Sequence, residues 1–226
     1  MSEHPGWLTA LAGAARDLDA RTLSRELPPP PASARKSAVL MLVAAGSRGP
    51  ELVLIERAHD MRSHAGQVAF PGGAADPDDD GPAATALREA QEEIGLDPDG
   101  VEVVAVLPAL WLPPSNFAVT PVLAWWRSES PIGAVDAAEV ASVLRVPMCD
   151  LVDPARRFTV RHPLGYRGPG FDLGDGLVLW GFTGGLVDQV LAAAGLEQPW
   201  DSSRVEPPPV PGASGPVGPA EDPEAR

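Results

Sequence analysis

The chain has 226 residues, 44% of them apolar and 21% charged. That is enough for one well-buried domain with flanking segments. A formal charge of -14 disfavours a bulk nucleic-acid binder, since an acidic surface repels polyanions at long range, but a small phosphorylated substrate arriving with divalent metal is compatible with it. A single cysteine, Cys149, excludes an internal disulfide and a cysteine-rich zinc cluster.

Met1-Ser2-Glu3-His4 lacks the basic start and apolar core of a signal peptide. The longest aliphatic run, Ala38 to Ala45, is far below the roughly 18 residues of a membrane span. A cytoplasmic location without membrane partners is the expectation. Trp7, Leu8, Leu11, Ala15 and Leu18 recur at helical spacing, ahead of the proline block Pro28 to Pro31. Residues 1–35 read as a helix and linker, and 36–200 as the main folded domain. Of the 27 prolines, seven crowd the segment from Pro207 to Pro223, so 201–226 reads as a disordered tail.

Within the domain, Ala38 to Ala45 and Leu52 to Ile55 read as buried strands separated by a Gly-Pro turn. A short strand, Gln67 to Phe70, leads into Pro71-Gly72-Gly73, a turn in which glycines let backbone approach a ligand closely. Val101 to Leu107 and Phe117 to Trp126 read as further strands joined by a loop. A mixed strand and turn region follows to Trp180, and Leu186 to Ala194 closes the domain as a helix. Gly181-Phe182-Thr183-Gly184-Gly185 lacks the lysine and spacing of a phosphate loop, and Thr183 reads as a helix cap.

The strongest element is the helix from Pro82 to Ile94. Pro82 suits its first turn, Gly95 the left-handed position after its end, and Asp78, Asp79 and Asp80 the positive end of its dipole. At about 100° per residue, Ala83, Leu87, Ala90 and Ile94 form one face. Glu89, Glu92 and Glu93 form another. Like charges at this spacing oppose the helix by about 0.2–0.5 kcal/mol per pair, and such a face is ordinarily just solvated; Arg88 beside it, the Gly72-Gly73 turn before it and the apolar face opposite point instead to a ligand. Oxygen ligands of this kind suit Mg²⁺ or Mn²⁺, which activates water and neutralises a pyrophosphate under attack. Arg88, adjacent, can orient a carboxylate.

Gly73 followed by Arg88-Glu89-Ala90-Gln91-Glu92-Glu93-Ile94-Gly95-Leu96 closely resembles the Nudix box. The interval between Gly73 and Arg88 is one residue longer than usual, and Asp79 or Asp80 stands where the family has a glutamate. Upstream, Val53-Leu54-Ile55-Glu56-Arg57-Ala58, Arg62, Gly66 and Phe70-Pro71-Gly72-Gly73 resemble the signature of the coenzyme A pyrophosphatase subgroup, with Ile55 in place of the usual threonine. The resemblance covers about Val53 to Leu96. It implies an α/β fold with a mixed sheet sandwiched between helices, and metal-dependent hydrolysis of a phosphoanhydride bond in a nucleoside diphosphate derivative. Coenzyme A or an acyl derivative is the first substrate it implies. ADP-ribose or a dinucleotide is the alternative, and a non-catalytic nucleotide sensor on the same scaffold is a third reading. The metal ligands would be Glu89, Glu92 and Glu93. Glu89 and Glu92, with Arg88, would serve catalysis, Glu89 as ligand or general base. Arg57, Arg62, Gly72 and Gly73 would receive the substrate, since arginine's planar fork suits phosphate. His59 and His64 lack the further ligands a metal pair needs, and Glu139 is a candidate for an additional acid.

Overall fold

The computed structural model describes residues 5–19, 23, 28–60, 64–163 and 165–209. In chain order the elements are α1 (Gly6–Asp17), β1 (Arg35–Gly46), β2 (Gly49–Arg57), β3 (Val68–Ala69), β4 (Gly72–Ala74), α2 (Gly81–Ile94), β5 (Val101–Val106), β6 (Leu110–Leu112), β7 (Phe117–Trp126), β8 (Val140–Pro147), α3 (Met148–Leu151), β9 (Arg157–Arg161), β10 (Arg167–Gly174), β11 (Leu177–Leu179), α4 (Gly181–Ala193) and β12 (Val205–Glu206). None of the described helices is long and apolar enough to cross a membrane.

The main sheet runs β3-β2-β1-β7-β5, with β4 beside β1, β6 beside β7 and β8 beside β2. Its central pair, β1 and β7, is parallel, and its other pairs are antiparallel. A central strand covered on both faces has to be apolar throughout. Accordingly Ala38, Leu40, Leu42 and Ala44 of β1 pack under Ala86, Ala90 and Ile94 of α2. Met41 and Val43, pointing the other way, meet Leu8 and Leu11 of α1 and Val187, Val190 and Leu191 of α4. The fold is thus a mixed sheet between helices. A smaller sheet, β11-β10-β9-β12, joins the second face, where Phe171 and Leu179 enter the same apolar cluster as Val68 and Phe70.

Several boundaries shift from the sequence reading. The helix α1 is part of the core rather than a separate flank, because its apolar stripe is buried against α4 and β5. The loop after β5 contains β6, which extends the sheet beside β7. The closing helix starts at Gly181, not Leu186, so Thr183 lies buried inside it rather than capping it. Gly184 lets α4 pack closely there: a Cβ would sit 3.2 Å from Pro169 O and 3.3 Å from Leu179 O. The expected tail boundary at 201 also moves. Val205 and Glu206 pair with Thr159 and Val160 of β9, and Thr159 Oγ1 donates to Ser202 O at 2.8 Å. Residues 210–226 of that tail lie outside the described residues.

Candidate active site

The site is built where α2 crosses β4. Gly72 and Gly73 matter for different reasons. Gly72 has φ +151°, and a Cβ there would fall 2.3 Å from Ala38 O, so the backbone itself excludes a side chain. At Gly73 a Cβ would lie 2.4 Å from Glu89 Oε2, occupying the position of the carboxylate. One turn along α2, Glu93 accepts a hydrogen bond from Gly72 N at 2.9 Å. The glycine strand thus seats Glu89 and Glu93 side by side.

Both carboxyls sit where negative charge is costly. Burial pushes Glu93 up to about 7, against the opposing pull of Gly72 N–H and the Arg57 charge, with Glu89 and Glu139 adding to the rise. Burial likewise raises Glu89, although Arg88 beside it pulls the other way. Glu92 is different: its side chain is 59% exposed and pairs with Arg88.

Arg88 organises this corner. Its Nη1 donates to Glu89 Oε1 at 3.1 Å and to Glu92 Oε2 at 3.0 Å. The other edge of the guanidinium grips Asp79 in a two-point contact, Nε to Oδ1 and Nη2 to Oδ2, both at 3.0 Å, and Nη2 also donates to Ala74 O at 2.9 Å. Asp79 Oδ2 further accepts from Thr85 Oγ1 at 2.8 Å and Asp76 N at 2.9 Å. These bonds, led by Arg88, hold the Asp79 carboxyl well below the usual carboxylate range. Of the two acids that the sequence left open, Asp79 is the one that Arg88 contacts. Asp80 stands at the start of α2 and makes no side-chain cap.

Arg57, at the end of β2, approaches from the neighbouring strand, close enough for its charge to act on Glu93. Its Nε is buried and meets no acceptor among the described residues. Glu139 reaches the same corner through pairing distant in sequence: its carbonyl accepts from Ala58 N at 2.9 Å, and Val135 N donates to Glu93 O at 3.0 Å. Only its acidity marked it in the sequence. His59 is held by Glu56 at 3.0 Å and His64 by Gln67 at 2.7 Å, so the two histidines form no metal pair. Arg62 lies outside the described residues. Cys149 is exposed beside Asp150.

Among the described residues no three His, Cys, Asp or Glu side chains converge on one ion-sized point, because Glu92 is turned to Arg88. Glu89 and Glu93 still fit a hard divalent cation, which binds through one or two carboxylates and takes its remaining ligands from water and phosphate. Two carboxyls pushed up by burial are also what such a charge would relieve.

The NUDIX domain model matches residues 34–163, which contain β1 to β9 and the whole of this corner. An uncharacterized Nudix hydrolase, NudL, from Enterobacter is 35% identical over 169 residues, covering 72% of this chain and 85% of that protein. Its Citrobacter koseri counterpart is 38% identical over 168 residues, with 72% and 84% covered. The crystal structure of the M. smegmatis Nudix hydrolase RenU aligns at a TM-score of 0.47 and 19% identity over 71% of this chain and 86% of that one, too loosely to bear on chemistry. With more than half of its length matched by the family model and most of each relative covered, this chain belongs to the Nudix hydrolase family.

Proposed function

We propose that this Nudix hydrolase cleaves the pyrophosphate linkage of coenzyme A or an acyl-coenzyme A, giving 3′-phosphoadenosine 5′-phosphate and 4′-phosphopantetheine or its acyl derivative. The observation that carries the pyrophosphatase reading is the pair of carboxyls, Glu89 and Glu93, seated on Gly72-Gly73 with Arg57 alongside. The narrower substrate rests on the motif from Val53 to Gly73 and its resemblance to coenzyme A pyrophosphatases.

Glu89 and Glu93 would hold Mg²⁺ or Mn²⁺, with Glu92 available once it leaves Arg88. The metal supplies neutralisation of the pyrophosphate and a lower pKa for water. Glu89 then has two uses, ligand or acceptor of the proton that water loses as its oxygen bonds to phosphorus and the phosphoanhydride P–O bond breaks. Arg88 fixes the Glu89 carboxylate, and Asp79 fixes Arg88. Arg57 donates to the pyrophosphate oxygens rather than to the 3′-phosphate, because it stands beside Glu93. Replacing Arg57 with alanine should therefore slow coenzyme A and 3′-dephospho-coenzyme A alike.

Purified protein with Mg²⁺ or Mn²⁺ should be offered coenzyme A, acetyl-coenzyme A, ADP-ribose, NADH and dinucleoside polyphosphates, with products identified by mass spectrometry. Highest kcat/KM on the coenzyme A compounds supports the full reading. Preference for ADP-ribose or a dinucleotide overturns the narrower assignment, and binding without turnover of any of them identifies a sensor.

A further inference from the structure

We propose that His162, Tyr166 and Trp180 form the platform on which the nucleobase of the substrate stacks. The inference rests on the nucleotide reading above and extends it to a part of the chain that the motifs do not reach. The matched family segment ends at residue 163, so two of the three rings lie beyond it.

Three observations carry the proposal. The first is composition: the chain is only 5% aromatic and has a single tyrosine, yet that tyrosine gathers with a tryptophan and a histidine. His162 and Trp180 lie nearly parallel, with 11° between planes and centroids 6.2 Å apart. Tyr166 meets Trp180 edge-on at 6.1 Å.

The second is accessibility. Core aromatics of this fold, such as Phe171 and Trp126, are all but fully covered. Tyr166 is 37% exposed, and His162 and Trp180 are half-buried, so the cluster opens onto solvent. Its geometry is nevertheless fixed: Tyr166 Oη donates to Gly181 O at 3.3 Å, and His162 N donates to Tyr166 O at 2.9 Å. Trp180 Nε1 is buried without an acceptor among the described residues. A preorganised, part-open aromatic surface loses little entropy when a planar ring settles on it, and base stacking is tolerant of base identity.

The third is position. Trp180 directly follows β11, which packs against β3, and Leu179 shares a core with Val68 and Phe70. Phe70 leads straight into Pro71-Gly72, while Gln67, before β3, accepts from Arg57 N at 3.0 Å. The cluster therefore flanks the edge of the sheet through which the chain enters the carboxylate site. In this reading a nucleotide whose pyrophosphate lies by Glu89, Glu93 and Arg57 extends its base past β3 and β11 towards the rings.

The test compares two probes in calorimetric titrations with Mg²⁺: ADP, which carries a purine, and methylenediphosphonate, which carries none. Trp180→Leu and His162→Ala should each weaken ADP binding about tenfold or more and leave methylenediphosphonate within about twofold. Tyr166→Phe should keep ADP affinity and Tyr166→Ala should lower it. Because both probes are read on the same folded variant, partial unfolding weakens them together. Equal weakening of both probes, unchanged ADP affinity in every variant, or no ADP binding by the wild type would each overturn the platform. Turnover separates this outcome from the fate of the hydrolase reading. A wild type that cleaves coenzyme A with a KM untouched by the ring variants keeps the hydrolase and loses the platform. One that cleaves nothing yet binds ADP through the rings does the reverse.

Discussion

Two buried charged groups in this protein are resolved in opposite ways. Arg157, on β9, has a side chain with no solvent exposure, and two carboxylates answer its charge although its Nε meets no acceptor among the described residues. Its guanidinium pairs with Asp188 of α4 and with Glu197 at 3.2 Å, between the rings of Phe171 at 4.6 Å and Trp200 at 4.5 Å. The carboxyls of Glu89 and Glu93 are buried with less cationic charge than they need, and burial raises both. A buried cation paired with two carboxylates and stacked between two rings ties β9 to α4 and to the segment after it. A buried charge left short of counter-charge is a place where something else is meant to bind.

The largest expected effect would break this comparison at the carboxylate end. Glu93→Gln or Glu89→Gln should lower kcat about a hundredfold or more while the circular dichroism spectrum is kept. Near-normal turnover at saturating Mg²⁺ would remove these residues from the mechanism. The same variants sharpen the electrostatic account. Burial raises Glu93 from an ordinary 4.5 to about 7, so the metal-free folded state holds that proton more tightly than the unfolded chain does. The contribution of Glu93 to stability in chelator should therefore be greatest below about 4.5 and fall as pH rises towards about 7, where the charge must be buried. Glu93→Gln should flatten that window, as followed by thermal melts across the pH range.

At the other end, Arg157→Ala strands Asp188 in the interior and should cost about 3–5 kcal/mol in urea unfolding. The pair replacement Arg157→Met with Asp188→Leu should recover most of it, since the two charges are then absent together. Specific activity per folded molecule should change little in either. A single variant as stable as wild type would show that Arg157 does not anchor this sheet.

A smaller effect separates two neighbouring acids. Asp79→Ala should lower kcat about ten- to a hundredfold by freeing Arg88 from its two-point contact, whereas Asp80→Ala should stay near wild type. Equal behaviour of the two variants would contradict the assignment of Asp79. The smallest effect concerns the chain end. Removing residues after Trp200 deletes the Thr159 bond to Ser202 and the β12 pairing, at about 1 kcal/mol per net hydrogen bond, so the melting temperature should drop by a few degrees. Removing residues after Pro209 should leave it unchanged.

The sequence by itself determined the elements whose signals are local. The helix α2 was legible because its apolar spacing, Pro82 and Gly95 act within a few turns, and it begins and ends where they predict. The strand β7 was legible for the same reason, from Phe117 to Trp126. The box of glutamates and its glycine pointed to the family before any contact was known. Tertiary structure alone decided which of these groups meet. The parallel union of β1 with β7 brings together segments about 80 residues apart, and no short-range pattern encodes it. The β2–β8 pairing and the backbone bond from Val135 N to Glu93 O bring Glu139 towards Glu93. Asp79 and Asp80 are chemically the same residue, and the path of the chain into α2 is what gives Arg88 to one of them. The burial that raises Glu89 and Glu93 has the same origin. Periodicity places a carboxylate on a face, but its cost in free energy is set by burial and by the neighbours that offset it, and Gly72 of β4 and Arg57 of β2 reach Glu93 only through the fold.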